Sequence, residues 1–341
     1  MKAVGYNTCL PIGDTNSLLD IEIPKPTPSG RDLLVKINAI AVNPVDCKIR
    51  TKAAPQNGEC RVLGWDAVGE VIASGSDASF FKPGDQVFYA GDLNKQGSNA
   101  EFQLVDERIV GTKPQSLSDT EAAALPLTSI TAYELLFEHL RIKKQQPNAI
   151  TKTNEVILVV GAAGGVGSIL VQLAKAITGA TVIATASRPS SKAWLEELGA
   201  DFIIDHSKPL KAQITSLGFE HVTHVASLNN SGSYFETYID VLEPFGKIGL
   251  IDDPQSLDII KIKPKSLSLH WEFMFARSMF NASDIAEQGV LLNRIANLID
   301  EGHIKTTAGK ELGKINATNL KQAHSELESG TAIGKIVLSG F

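Results

Sequence analysis

A chain of 341 residues exceeds the ~250–300 at which a single core stops growing, so two domains are expected. Hydrophobic residues at 43% and charged residues at 21% are ordinary for a soluble globular protein, and a formal net charge of −6 excludes the basic footprint of a nucleic-acid binder. Three scattered cysteines, Cys9, Cys47 and Cys60, exclude a disulfide framework and point to the reducing cytoplasm.

The opening "MKAVGYNTCLPIGD" has no sustained apolar run and does not read as a signal peptide. "DLLVKINAIAVNP" alternates apolar and polar residues as a strand does. It loses its register near Asn43 and Pro44, where a loop is expected. "AVGEVIASGSD", "GDQVFYAGD" and "NAEFQLVDERIV" are further strands, with Lys82-Pro83-Gly84-Asp85 as a turn. Strands this short and frequent predict a twisted antiparallel, barrel-like domain. The character changes at "LSDTEAAALPLTSITAYELLFEHL", where Ser118 or Asp119 can cap a helix and residues 128–140 carry helical periodicity.

Residues 156–174 carry no charge, which taken alone would suit a membrane helix. Four glycines in the middle and a β-branched opening predict a strand, a turn and a helix instead, and no membrane partner is expected. From there strands and helices alternate: VILVV, 168–177, TVIATA, 192–198, DFIID, HVTHVAS, 234–242 and KIGLID. This α/β pattern predicts a doubly wound parallel sheet covered on both faces. After Leu267 the chain reads as helical, through 285–300, and closes with a helix at 320–327 and a strand, KIVLSG.

"VILVVGAAGGVGSILVQLAK" is the most informative stretch. Gly161, Gly164 and Gly167 follow a buried strand at a spacing of three and lead directly into a helix, with Gly165 and Val166 inside the turn. Residues without Cβ let the backbone turn sharply and approach a pyrophosphate, and the helix N-terminus holds the phosphates. A dinucleotide is expected here because strand, turn, helix and next strand all arrive in order. An NAD site carries an acid at the end of that next strand, ~20 residues past the glycines. This chain has Ala186, Ser187, Arg188 and Lys192 there, a set that suits the 2′-phosphate of NADPH.

Around that motif, "GAAGGVG", "NPVDCKIR", "FKPGDQVF", "NAEF" and "LPLTSITAYELL" resemble the quinone oxidoreductase (ζ-crystallin-like) branch of the medium-chain dehydrogenase/reductase superfamily, over essentially the whole chain. "VLGWD", "SLHWEFMF" and "ESGTAIGKIVL" are similar to proteins labelled zinc-type alcohol dehydrogenase-like. The resemblance implies a GroES-like β-rich catalytic domain, residues 1–123 and 271–341, around a Rossmann domain, residues 124–270. A cleft between them, a return of KIVLSG to the first domain and a homodimer are implied with it.

Zinc-dependent members carry a cysteine in Cys-x-x-Asp and a histidine in Gly-His-Glu. "NPVD" and "GWD" put Asn43 and Trp65 at those positions, and an indole nitrogen has no free lone pair, so no metal site is expected. Without a Lewis acid for a developing alkoxide, the implied reaction is hydride transfer from NADPH to a quinone or an α,β-unsaturated carbonyl. A zinc-dependent alcohol dehydrogenase and a non-catalytic NADPH-binding protein are the alternatives. By the same resemblance Asn43 and Thr128 sit by the nicotinamide, with Asn43 also facing the substrate. Trp65 packs at the inner edge of the cleft, with residues near Trp271 and Phe275 as an apolar wall. Lys48 stands where related reductases have a tyrosine, either polarising a carbonyl or simply exposed. His206 matches a family tyrosine near the 2′-phosphate, Leu228 and Asn229 reach toward the nicotinamide, and Asp46 is structural.

Overall fold

The computed structural model describes residues 1–55 and 59–341. It divides into two compact units, one of residues 1–130 with 275–341 and one of residues 131–274.

The hub of the first unit is the strand Asp32–Val42, whose buried residues include Leu33, Val35, Ile37 and Ile40. It pairs antiparallel with Ala67–Ser74 and Phe102–Asp106, and its end pairs with the C-terminal strand Lys335–Ser339. The strand Lys335–Ser339 thus returns to the sheet of Asp32–Val42 from far along the chain. A smaller sheet joins Lys2–Tyr6 to Leu19–Glu22 and Arg61–Val62.

A helix, Pro44–Lys52, stands where the sequence reading expects a loop. Lost strand register marks where a strand ends and carries no signal for the element after it. The signal for the helix is "NPVD" itself: Asn43 as cap, proline at the first helical position, and Asp46 two residues on from it. The Asp46 carboxylate accepts the Asn43 N–H at 2.8 Å, satisfying a donor that the helix leaves without a partner.

The second unit holds six parallel strands in the spatial order Phe202–Ile204, Thr181–Thr185, Val156–Val160, Val222–Ser227, Leu242–Leu250 and Ser268–Trp271. This is the order of a doubly wound dinucleotide-binding sheet. Val156–Val160 is buried throughout, as a strand covered on both faces must be. The helices after the first, second and fourth strands in sequence begin at Gly165, Pro189 and Ser231. Each starts three residues before the expected 168, 192 and 234, because the first turn is built from small and polar residues that apolar periodicity does not register.

The strand Ser268–Trp271 corrects the expectation of helix directly after Leu267: it pairs with Lys247–Leu250 and carries the second unit to residue 274, beyond 270. At the other boundary, the Leu127 N–H bonds Asp66 at 2.7 Å and the Thr307 hydroxyl bonds the Ala124 carbonyl at 3.0 Å. Those contacts hold residues 124–130 in the first unit, past the expected 123. Among the described residues no helix is long and apolar enough to cross a membrane.

Candidate functional site

In the second unit the three motif glycines have three different reasons to be glycine. Gly161 has φ +82°, where side chains are strained, and a Cβ there would lie 2.9 Å from the Asn229 Oδ1. Gly167 has no room: its Cβ would lie 2.3 Å from the Ala162 carbonyl oxygen and 2.5 Å from the Ala162 Cα, where helix packs on turn. Gly164 differs from both. Its φ is −75°, and a Cβ would meet nothing nearer than the Gly161 oxygen at 3.5 Å. Neither strain nor crowding explains it. Glycine suits it as the helix cap and leaves the backbone open to a ligand, and the half-buried Gly164, Gly165 and Val166 form the first turn of a 13-residue helix there. The N–H groups of that turn lack intrahelical acceptors and carry the positive end of the helix dipole. This cradle fits a pyrophosphate.

Next to it, Leu228 and Asn229 come directly after the strand Val222–Ser227. The Leu228 N–H bonds the Val160 carbonyl at 3.0 Å, which sets Asn229 against Gly161. At the end of the strand Thr181–Thr185, Ala186 is buried and the Ser187 hydroxyl lies 3.3 Å from the Nε2 of the exposed His206. Arg188 caps the helix Pro189–Glu197, one turn before Lys192. Ser187, Arg188, Lys192 and His206 thus gather at one corner of the sheet. The carboxylate at that corner, Asp205, is engaged by Ser207: the hydroxyl and N–H of Ser207 hold its carboxyl below the usual range, with smaller help from Lys208 and Lys192.

The first unit holds a buried polar cluster built on Asn43, Asp46, Asp66 and Lys335. Asp66 accepts the Leu127 N–H on one oxygen at 2.7 Å. Its other oxygen accepts the Asn43 Nδ2 at 2.7 Å and the Lys335 ammonium at 2.9 Å. Lys335 also donates to the Val42 carbonyl at 2.9 Å and to the Asn43 Oδ1. Burial holds the Asp66 carboxyl above its usual range, and Lys335 with the two N–H donors offsets that only in part. With three donors on its two oxygens, Asp66 carries the negative charge of the cluster. Burial, augmented by the charge of Asp66, pushes Asp46 up to about 7 against the pull of the Asn43 N–H and Lys335. Thr128, one residue past the donor to Asp66, is buried with its hydroxyl bonded back to the Leu125 carbonyl at 3.1 Å.

Trp65 is 1% exposed. Its Nε1 donates to the Asp92 carbonyl at 3.3 Å and its ring meets Phe275 edge-on at 6.2 Å. Of the two residues expected near an apolar wall, Phe275 is the one that meets Trp65, and Trp271 lies half-exposed on the edge strand of the other unit. Lys48 is exposed on the helix that Asn43 caps. The residues at the two alignable ligand positions do not fit zinc. The indole nitrogen is a donor already in use, and the Asn43 oxygen faces an ammonium. Among the described residues no group of three His, Cys, Asp or Glu side chains is placed to hold a metal. Sequence reading missed Asp66 and Lys335. The signals were a carboxylate inside the apolar, glycine-flanked "LGWDAVG" and a lone lysine opening the apolar strand "KIVL", each a charge on course for the interior.

Residues 165–287 match the zinc-binding dehydrogenase family and residues 29–115 the alcohol dehydrogenase GroES-like domain. A zinc-type alcohol dehydrogenase-like protein of Staphylococcus aureus is 40% identical, covering 99% of this chain and 100% of its own. The 2-methylene-furan-3-one reductase of Solanum lycopersicum is 30% identical, covering 99% of this chain and 79% of its own. Among solved structures, a Rhizobium etli protein named for zinc-dependent alcohol dehydrogenase superposes with a TM-score of 0.95 at 52% identity, covering 100% of this chain and 98% of its own.

Proposed function

Since the chain belongs to the medium-chain dehydrogenase/reductase superfamily and is an oxidoreductase of that kind, we propose that it is an NADPH-dependent reductase of quinones or α,β-unsaturated carbonyls that works without zinc. The observation that carries this reading is the company Asn43 keeps. Where zinc-dependent relatives have a cysteine and a histidine, this chain has an amide bonded to Lys335 and Asp66, and an indole bonded to Asp92. A thiolate and an imidazole supply lone pairs to a metal; these two side chains do not. A simple ketone needs strong stabilisation of the alkoxide it becomes. A conjugated carbonyl spreads the incoming electron pair through its π-system onto an oxygen that a hydrogen bond can serve. The tomato relative bears the name of a reductase acting on such a conjugated ketone.

NADPH, when bound, supplies the hydride. The chain's own residues then have three tasks. Gly164, Gly165, Val166 and Gly167 receive the pyrophosphate. Ser187, Arg188, Lys192 and His206 receive the 2′-phosphate, with Ala186 where an NAD site carries its acid and Asp205 engaged by Ser207. Asn43 meets the carbonyl oxygen of the substrate, with Thr128 beside the nicotinamide, and the oxygen takes its proton from water. We read the protein as a cytoplasmic homodimer. Ser268–Trp271 is the open edge of its sheet with Trp271 and Phe273 half-exposed there, and Cys9, Cys47 and Cys60 are unpaired.

The test is NADPH oxidation against a panel of quinones, enones and simple ketones, with zinc measured on the same sample. Turnover of the conjugated substrates, unchanged by a chelator, is expected. Stoichiometric zinc with chelator-sensitive alcohol oxidation would overturn the reading, as would NADPH binding with no turnover of any substrate.

A further inference from the structure

Lys335 is 3% exposed, and its ammonium has three oxygen partners: Val42, Asn43 and Asp66. A buried lysine is uncommon, and one spent on the carboxamide of a proposed substrate contact calls for a reason. The carboxamide of Asn43 can face either way, and the two orientations are chemically opposite. One presents an acceptor oxygen, the other two N–H donors. Here an ammonium, which can only donate, takes the oxygen. A carboxylate, which can only accept, takes one Nδ2 hydrogen at 2.7 Å. The pair therefore fixes the orientation with charge-assisted bonds, roughly twice as strong as neutral ones. Among the described residues the second Nδ2 hydrogen meets no acceptor, on a group polarised by the cation at its other end.

We propose that Lys335, acting with Asp66, is a positioning residue that makes Asn43 a hydrogen-bond donor and so favours substrates whose oxygen gains negative charge as hydride is added, carbonyls and quinones. This rests on the reading of Asn43 as the substrate contact. It assigns to a fixed ammonium, acting through an amide, the favourable charge that a metal provides elsewhere. As hydride adds to the conjugated carbon, its electron pair shifts onto the carbonyl oxygen and the hydrogen bond from Asn43 strengthens. The effect should accordingly fall on kcat more than on binding.

The discriminating variant is the neutral pair Lys335→Met/Asp66→Asn, which removes both charges while nearly preserving shape, a change that buried ion pairs often tolerate. The new amide at position 66 would offer an NH2 group where the carboxylate accepted, so the Asn43 amide is free to turn over. In the folded neutral pair, kcat for the best enone or quinone should fall about 10- to 100-fold, the span of one charge-assisted hydrogen bond. KM for NADPH should stay within about threefold, because the cradle is untouched. Lys335→Arg, which keeps a donor cation, should recover part of the lost kcat relative to the neutral pair. A folded neutral pair with wild-type kcat would overturn the proposal. A second readout needs no turnover: with 15N-labelled asparagine, the side-chain signals identified by their loss in Asn43→Ala should be protected from exchange in the wild type and lose that protection in the neutral pair. Unchanged protection there would also overturn it. Absence of any carbonyl reduction by the wild type would defeat the functional reading alone, and the exchange experiment would still judge the orientation.

Discussion

Replacing Gly164 by alanine should leave the protein about as stable as before while weakening its hold on the proposed cofactor. The added methyl lies 3.5 Å from the nearest protein atom, an ordinary contact, and φ −75° is open to any residue. Alanine is a poorer helix cap than glycine by about 0.5–1 kcal/mol. Against that, removing a glycine from the unfolded chain contributes about 0.4–1 kcal/mol of stability. The two nearly cancel, so the melting temperature without ligand should move by no more than about 2 °C. The methyl nevertheless fills the space in which a pyrophosphate must meet the backbone, and NADPH and NADH should lose affinity equally, by about tenfold or more, the weight of one lost phosphate hydrogen bond. Gly167→Ala is the control with the opposite signature. Its methyl would press within 2.3–2.6 Å of three backbone atoms of Ala162. Such overpacking costs about 1–3 kcal/mol, or several degrees of melting temperature in a domain of this size. Thermal melts with and without cofactor, together with a fluorescence titration, separate the two cases. Normal NADPH affinity in Gly164→Ala, or a ligand-free melt as depressed as that of Gly167→Ala, would refute the assignment of roles to these glycines.

Arg188→Ala should weaken NADPH by about 1.5–3 kcal/mol while leaving NADH nearly untouched, since only NADPH carries the 2′-phosphate; equal losses in parallel titrations would remove the basis for the cofactor preference. Trp65→Ala should destabilise the protein by about 3–5 kcal/mol, as deletion of a fully buried indole does, and a shift in urea midpoint of that size checks it. Asp46 is held up to about 7 in the fold, from 3.8. A raised acid contributes stability that is fully present below its unfolded value and is lost as pH rises through the folded one. Asp46→Asn should therefore gain on the wild type between pH 4 and 7 in melts run across that range; a constant difference between the two would contradict the placement of that proton.

Much of the fold was legible because it is written in periodicity. The parallel strands after residue 156 are apolar runs punctuated by glycine and polar residues, and their order comes from the βαβ rule. The glycine turn was legible for a different reason, since strand, turn, helix and next strand follow one another in order around it. Ser268–Trp271 was not, because a short edge strand with one covered side carries no pattern that a helix start could not share. The pocket chemistry was legible only by subtraction. Asn43 and Trp65 could be seen to stand where zinc-dependent relatives have ligands, but the partner that Asn43 finds is Lys335, 292 positions away in the chain. Nothing local in either segment announces the other.

That separation bears on how the protein is made. The nucleotide-binding unit is one continuous stretch of chain, whereas the sheet of the first unit needs Lys335–Ser339 against Asp32–Val42. At about 5–20 residues per second, the ribosome delivers the second partner roughly 15–60 s after the first. During that interval the strand Asp32–Val42 has a vacant flank, and Asp66 has no ammonium. The nascent chain should accordingly acquire a protease-resistant nucleotide-binding core before its N-terminal third becomes resistant. Stalled nascent chains ending before residue 335 would show whether that order holds.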